Sequence, residues 1–201
     1  MVWGTGANGK VDPTRLPLAG LDVRAVRGPL TRTLLESKGV SCPPVFGDPA
    51  LLLGILFPEL KNVTKRHDIT VVTNLNDRDV RHGFNTLNPR RSLSTCLRTI
   101  AASRLVVGSS LHGVIVAESL GIPAILIRSQ AEPVFKYQDY FAGTGRDKLV
   151  SADSIPEAVA LAGSTSPDWN PARLLHAFPF DLWRDGPEKG GTWVETIPHR
   201  L

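Results

Sequence analysis

Apolar and polar positions alternate along this chain in short blocks, and the blocks read as strands separated by helix-length segments. Val2 to Thr5 and Asp22 to Val26 are strand-like, and Gly28-Pro29 opens a helix from Leu30 to Ser37 that Gly39 stops, proline being tolerated in a first turn. Ala50 to Phe57 is apolar and Pro58 breaks it; Lys61 to Asp68 is polar and basic; Ile69 to Thr73 is β-branched and apolar. Asn74 to Arg91 reads as a long loop or irregular helix, and Ser92 to Ala102 resumes helical spacing. Leu105 to Val107 and Ala124 to Ile127 are apolar runs suited to buried parallel strands, with a helix between them. Ala131 to Arg146 mixes aromatic and polar residues, unlike a core strand. Helices are expected around Ile155 to Leu161 and Pro171 to Ala177, and Phe178-Pro179-Phe180-Asp181-Leu182-Trp183 forms an apolar anchor. This alternation predicts an α/β protein with doubly wound parallel sheets. The organisation it suggests is 1–57 as the end of one Rossmann-like unit, 58–150 as a second, 151–183 as C-terminal helices and anchor, and 184–201 as a loose tail.

The most informative stretch is Gly108-Ser109-Ser110-Leu111-His112-Gly113. Small residues end a strand and lead into a helix whose first N–H groups lack intrahelical partners and carry the positive end of the helix dipole, a place where anions bind. Ser109 or Ser110 can also serve simply as a cap. His112 lies in the first helical turn, beside any such anion, and exchanges protons near neutral pH. Ligands of open α/β sheets collect at the carboxyl ends of strands. Arg27 stands at another strand end, where a guanidinium can grip a carboxylate or phosphate through two parallel hydrogen bonds.

With 201 residues and 42% hydrophobic content the chain can bury a substantial core. A formal charge of +4 without long basic runs fits an anionic substrate or anionic membrane surface better than a nucleic acid, so no nucleic-acid partner is expected. Cys42 and Cys96 stand far apart, which points to a reducing compartment. His67, His82, His112, His176 and His199 are dispersed without metal-ligand spacing, and no metal is expected. No apolar stretch approaches the roughly 20 residues that span a bilayer. The Gly4-x-Gly6 and Gly143-x-Gly145 pairs lack a third glycine for a dinucleotide fingerprint and read as turns.

Arg24-Ala25-Val26-Arg27-Gly28-Pro29-Leu30-Thr31, Gly47-Asp48-Pro49-Ala50-Leu51-Leu52, Ser110-Leu111-His112-Gly113 and Gly121-Ile122-Pro123-Ala124, in that order, resemble the polysaccharide pyruvyl transferases. Val2 to Lys10, Phe135 to Tyr140, Gly143 to Arg146 and Ala177 to Trp183 look like the bacterial ketal-pyruvate transferases of xanthan-type exopolysaccharide synthesis. The resemblance implies a Rossmann-like fold of the glycosyltransferase-B type, with the N-terminal half largely missing from this sequence. It also implies transfer of pyruvate from phosphoenolpyruvate, as co-substrate and without a cofactor, to a sugar of a lipid-linked oligosaccharide at the cytoplasmic face of the membrane, with peripheral membrane contact. The strand edge beside Val2 to Thr5 would then invite a partner strand or self-association, the latter giving a homo-oligomer.

By the same resemblance His112 is the proton-transfer residue and Arg27 holds donor anions, joined by Arg24, Ser109, Ser110, Leu111 and Gly113. Many family members carry arginine before Leu-His, where this chain has Ser110; Lys136 and Arg146 are the candidate replacements. Asp48 either binds acceptor or caps a turn. Tyr137 and Tyr140 either stack on a sugar or pack in the core. A nucleotide-sugar glycosyltransferase is the alternative enzyme, although its ribose-binding carboxylate would fall at Val116, two places before Glu118. A non-catalytic saccharide-binding remnant is the third reading.

Overall fold

A computed structural model describes residues 1–12, 15, 17–77, 83–163 and 166–182. Two parallel sheets carry the fold. The smaller pairs β1 (Val2–Thr5) with β2 (Val23–Val26), and Phe46 adds a parallel bridge to Val26. The larger contains β3 (His67–Val72), β4 (Asn85–Leu87), β5 (Ser103–Gly108), β6 (Ala124–Ile127) and β7 (Ser151–Ala152), all parallel, in the spatial order β4-β3-β5-β6-β7. The chain steps from β3 to one side to make β4 and then returns to the other side for β5. The carboxyl ends of β3 and β5 therefore flank the point where strand order reverses, the crevice where such sheets bind ligands.

Alternation along the strands explains why helices cover both faces. Leu105, Val107, Val71 and Ile125 point into a core shared with Ile155 and Ala158 of α6 (Ile155–Ala160). Val106, Val72 and Leu126 point the other way, into a core with Ile100 of α3 (Leu93–Ala101) and Leu111, Val114 and Ile115 of α4 (Leu111–Ser119). The result is α/β, Rossmann-like and doubly wound. Helix α4 is apolar nearly all round because it is covered nearly all round: the 3-10 turn Pro49–Leu52 and α2 (Leu53–Leu56) lie against its outer side.

Around the smaller sheet, α1 (Pro29–Glu36) supplies Leu35 to a core with Val23 and Val26, while Ala25 faces Leu174 and Leu175 of α7 (Pro171–His176). The C-terminal segment thus returns to the front of the chain. Trp3 donates its indole N–H to the Leu174 carbonyl at 2.8 Å and meets Phe178 edge-on, and Trp169 donates to the Phe46 carbonyl at 2.8 Å. The apolar anchor at 178–182 is therefore seated on β1; Trp183 and the tail lie outside the described residues.

Three features depart from the sequence expectation. The 74–91 region contains β4, a three-residue edge strand in which only Leu87 is buried, too short and polar for an alternation signal. Strand β7 is shorter still. The aromatic-polar segment forms α5 (Phe135–Gly143), with Tyr137, Tyr140 and Phe141 buried. Gly143 is therefore helical rather than a turn residue. Where α1 meets α5, a Cβ on Gly143 would strike the Arg27 carbonyl, and one on Gly28 would strike the Asp139 carbonyl.

Candidate active site

The site is built from strand ends. Strand β5 finishes on Gly108, whose φ is +149° and where a Cβ would collide with the Val72 carbonyl, so only glycine lets the chain leave β5 this close to β3. Ser109 then turns its hydroxyl back to accept the Asn74 N–H at 3.0 Å, and its carbonyl accepts the Tyr137 hydroxyl at 2.7 Å. Ser110 caps α4, its Oγ accepting the Gly113 N–H at 3.2 Å. Leu111 is buried and points into the core, leaving His112 on the open side of the first turn with a side chain 71% exposed.

Across from His112 stands Asp48, positioned by the smaller sheet. The Gly47 N–H donates to the Val26 carbonyl at 3.1 Å, which places Asp48 just beyond the end of β2. Its Oδ1 accepts the Ala50 N–H at 3.0 Å, capping the 3-10 turn, and its Oδ2 lies 3.6 Å from His112 Nε2. That separation is an ion-pair distance rather than a hydrogen bond. The carboxylate is only 10% exposed and held by its cap, whereas the imidazole is accessible. The site thus sets a fixed, nearly buried carboxylate beside an accessible imidazole.

Arg27 occupies the same edge, one residue past β2. Its side chain is 8% exposed; one terminal nitrogen donates to the Ala7 carbonyl at 2.5 Å and lies 3.2 Å from Asp139 Oδ2. Asp139 also accepts from the Thr31 N–H and hydroxyl, at 2.9 and 2.7 Å, and the Thr31 hydroxyl in turn accepts the Ala7 N–H at 3.0 Å. Arg27 Nε is buried without a partner among the described residues. Arg27, Thr31 and Asp139 thus clamp the loop after β1 to α1 and α5. Thr31 was visible inside a motif; Asp139, 108 residues further on, became a partner only through folding.

A family model for polysaccharide pyruvyl transferases matches residues 1–130. The chain belongs to the polysaccharide pyruvyl transferase family. It is also 29% identical over 152 residues to "Succinoglycan biosynthesis protein ExoV" of Rhizobium meliloti (strain 1021), a match covering 69% of this chain and 46% of that protein. The chain thus spans about half the length of the curated relative it matches.

In this pyruvyl transferase relative the remaining expected site residues are arranged as follows. Arg24 is bound to Asp22 and Asp181 at 2.6 and 2.7 Å, away from the His112 edge in its bonding. Arg146 is buried, with Nη1 donating to Glu118 at 2.6 Å, Thr144 accepting its Nε, and its guanidinium 3.9 Å from the Phe141 ring centroid. Tyr140 is fully buried and donates to the same Glu118. Tyr137 is buried too. Of the two readings the sequence left open for Tyr137 and Tyr140, both rings are packed in the core, and the polar ends of Arg146, Tyr137 and Tyr140 are bonded inside the protein. Glu118, held by Arg146 and Tyr140, is likewise engaged inside the protein.

Lys136 has a different position. It donates to Glu132 Oε2 at 2.8 Å, while Lys10 donates to Oε1 at 2.5 Å and Asn76 to the same oxygen at 2.8 Å. Burial pushes the Glu132 carboxyl up, but the hydrogen bonds from Lys10, Lys136 and Asn76 outweigh it and bring it down to about 2. Lys136 therefore braces the loops at the carboxyl edge. Among the described residues no cluster of His, Cys, Asp and Glu could hold a metal ion, and no helix is long and apolar enough to cross a membrane.

Proposed function

We propose that this chain carries the proton-transfer site of a ketal-pyruvate transferase that uses phosphoenolpyruvate and a saccharide of a lipid-linked exopolysaccharide precursor. The observation that carries the reading is His112 itself, exposed on the first turn of α4 at the sheet's reversal point with the buried Asp48 carboxylate 3.6 Å from Nε2. Ketal formation needs C3 of the enol to gain a proton, one sugar hydroxyl to add to C2, phosphate to leave, and a second hydroxyl to close the ring. One imidazole can take the proton of an attacking hydroxyl and an imidazolium can supply the proton for C3, and Asp48 stabilises the charged form in between. The donor's carboxylate and phosphate would meet the N-terminus of α4, where the Leu111 and His112 N–H groups have no hydrogen-bond partner among the described residues, and the guanidinium of Arg27, whose Nε is without a partner among them. Family membership and the likeness to a succinoglycan biosynthesis protein support an exopolysaccharide setting, which would bring the protein to the cytoplasmic face of the membrane.

The test is phosphate release from phosphoenolpyruvate in the presence of saccharide, with calorimetric titration of the donor alongside. His112→Ala should lower turnover by about a hundredfold or more while donor affinity and thermal midpoint stay close to wild type, because the side chain is exposed. An unchanged rate removes the histidine from the mechanism. Tighter binding of a nucleoside diphosphate than of phosphoenolpyruvate overturns the donor assignment.

A further inference from the structure

Helix α5 grips the structure around both sheets, and its two grips lie on opposite sides. Successive helical residues turn by about 100°, so Tyr137 and Tyr140 share one face while Asp139 and Gly143 share the other. On the first face the Tyr137 hydroxyl donates to the Ser109 carbonyl at 2.7 Å, and the Tyr140 hydroxyl donates to Glu118 near the far end of α4. On the second, Asp139 accepts from Thr31 and lies 3.2 Å from Arg27, and α5 packs so closely on Arg27 and Gly28 that a Cβ on Gly28 or Gly143 would strike a facing carbonyl. From this geometry we infer that Tyr137 is a positioning residue for His112: standing on a helix fixed against Arg27, its hydroxyl holds the turn that carries the histidine. The inference rests on the pyruvyl-transfer reading and adds a residue that sets the proton-transfer group relative to the anion-binding arginine.

His112 is largely exposed, so its place is set by the backbone that carries it rather than by packing of the ring. That backbone is tied on two sides. Toward β3, the Ser110 N–H donates to the Val72 carbonyl and the Asn74 N–H to Ser109 Oγ, both at 3.0 Å. Toward α5, the tie is the Tyr137 hydroxyl. Ser109 is buried, and a buried carbonyl that has left its strand needs a donor from elsewhere. Tyr137 is 2% exposed, and burial pushes its hydroxyl up to about 12, so it remains a donor throughout the neutral range. Because the opposite face of α5 is held to the Arg27–Thr31 segment, any shift of the Ser109–Ser110 turn away from Tyr137 is a shift of His112 relative to Arg27. A displacement of about 1 Å at a reacting group costs on the order of a hundredfold in rate. Residues 135–143 lie beyond the residues 1–130 that the family model matches, so that match assigns α5 no part in the site.

Tyr137→Phe deletes the one hydroxyl, and Tyr140→Phe, which deletes the bond to Glu118 from the same face, is the matched control. Rates of phosphate release are taken per folded molecule, below both unfolding midpoints, and amide hydrogen exchange is followed residue by residue by NMR. In Tyr137→Phe, kcat should fall about ten- to a hundredfold, while KM for phosphoenolpyruvate changes less than about threefold because Arg27 is undisturbed. The Asn74, Ser110 and Gly113 N–H groups, all bonded at this turn, should exchange about tenfold faster. Tyr140→Phe should lose comparable stability yet keep kcat and the exchange of those three amides at wild-type values. Wild-type kcat in Tyr137→Phe, an equal loss of kcat in both variants, or unchanged exchange at the three amides overturns the inference. If the wild-type protein releases no phosphate while the three amides exchange faster in Tyr137→Phe alone, the hold on the turn stands and the transferase reading fails.

Discussion

Replacing Asp48 with asparagine separates two jobs that one side chain performs. Oδ1 caps the 3-10 turn through the Ala50 N–H at 3.0 Å, and an asparagine oxygen can keep that bond; Oδ2, 3.6 Å from His112 Nε2, loses its charge. A full charge pair at this distance is worth about 1 kcal/mol in bulk water and about 5 kcal/mol at an effective dielectric constant of 20. The imidazole is 71% exposed and the carboxylate 10%, so the true environment lies toward the wet limit, about 1–2 kcal/mol. That attraction acts only on imidazolium, the form created when His112 takes a hydroxyl proton. Asp48→Asn should therefore lower kcat about 5- to 30-fold, leave KM for phosphoenolpyruvate nearly unchanged, and change stability by less than about 0.5 kcal/mol. Steady-state phosphate release and urea unfolding measure these quantities. Asp48→Ala, which loses the cap as well, should add about 1 kcal/mol of destabilisation to the same rate loss. If Asp48→Asn retains full kcat while Asp48→Ala merely unfolds more easily, Asp48 is a cap and nothing more.

Glu132→Gln should flatten the acid limb of the stability curve. The Glu132 carboxyl is lowered to about 2 from an ordinary 4.5, so its stabilisation is fully present above pH 4.5 and lost as pH falls toward 2; with solvent screening about 1–2 kcal/mol disappears across that window in wild type but not in the variant. Equal acid slopes in urea titrations at stepped pH would refute the Lys10–Glu132–Lys136 tie. Gly28→Ala places a Cβ against the Asp139 carbonyl where α1 meets α5 and should cost about 1–3 kcal/mol by calorimetric melting, although the extended Gly28 backbone itself would accept alanine; an unshifted midpoint would mean that the helices separate freely. Arg27→Lys cannot reproduce a fork that reaches Ala7 and Asp139 together, so it should lower both stability, by about 1–3 kcal/mol, and affinity for phosphoenolpyruvate; wild-type affinity in a destabilised variant would confine Arg27 to clamping the loop after β1.

Local sequence determined the parts whose signals are themselves local. Apolar β-branched runs bounded by small residues specify β3, β5 and β6 because a strand buried on both faces needs apolar side chains on both. Gly28-Pro29 starts α1 and Ser110 caps α4 through bonds that span only a few residues. The place of His112 was legible because the first turn after a small-residue strand end faces the sheet's carboxyl edge in any fold of this kind. Tertiary structure decided what the polar side chains do. Arg146 and Tyr140 resemble site residues in sequence, yet Glu118 lies between them and draws both inward, since a buried carboxylate must be paired. Arg27 could be placed at a strand end, but its commitment to Asp139 depends on α5 docking against α1, a contact that no periodicity encodes. The edge strands β4 and β7 escaped notice because an edge position relaxes the demand for apolar residues that makes a strand visible. The meeting of Asp48 and His112, 64 residues apart, belongs wholly to the tertiary structure: each stands at a strand end of a different sheet, and only the packing of Pro49–Leu56 on α4 brings carboxylate to imidazole.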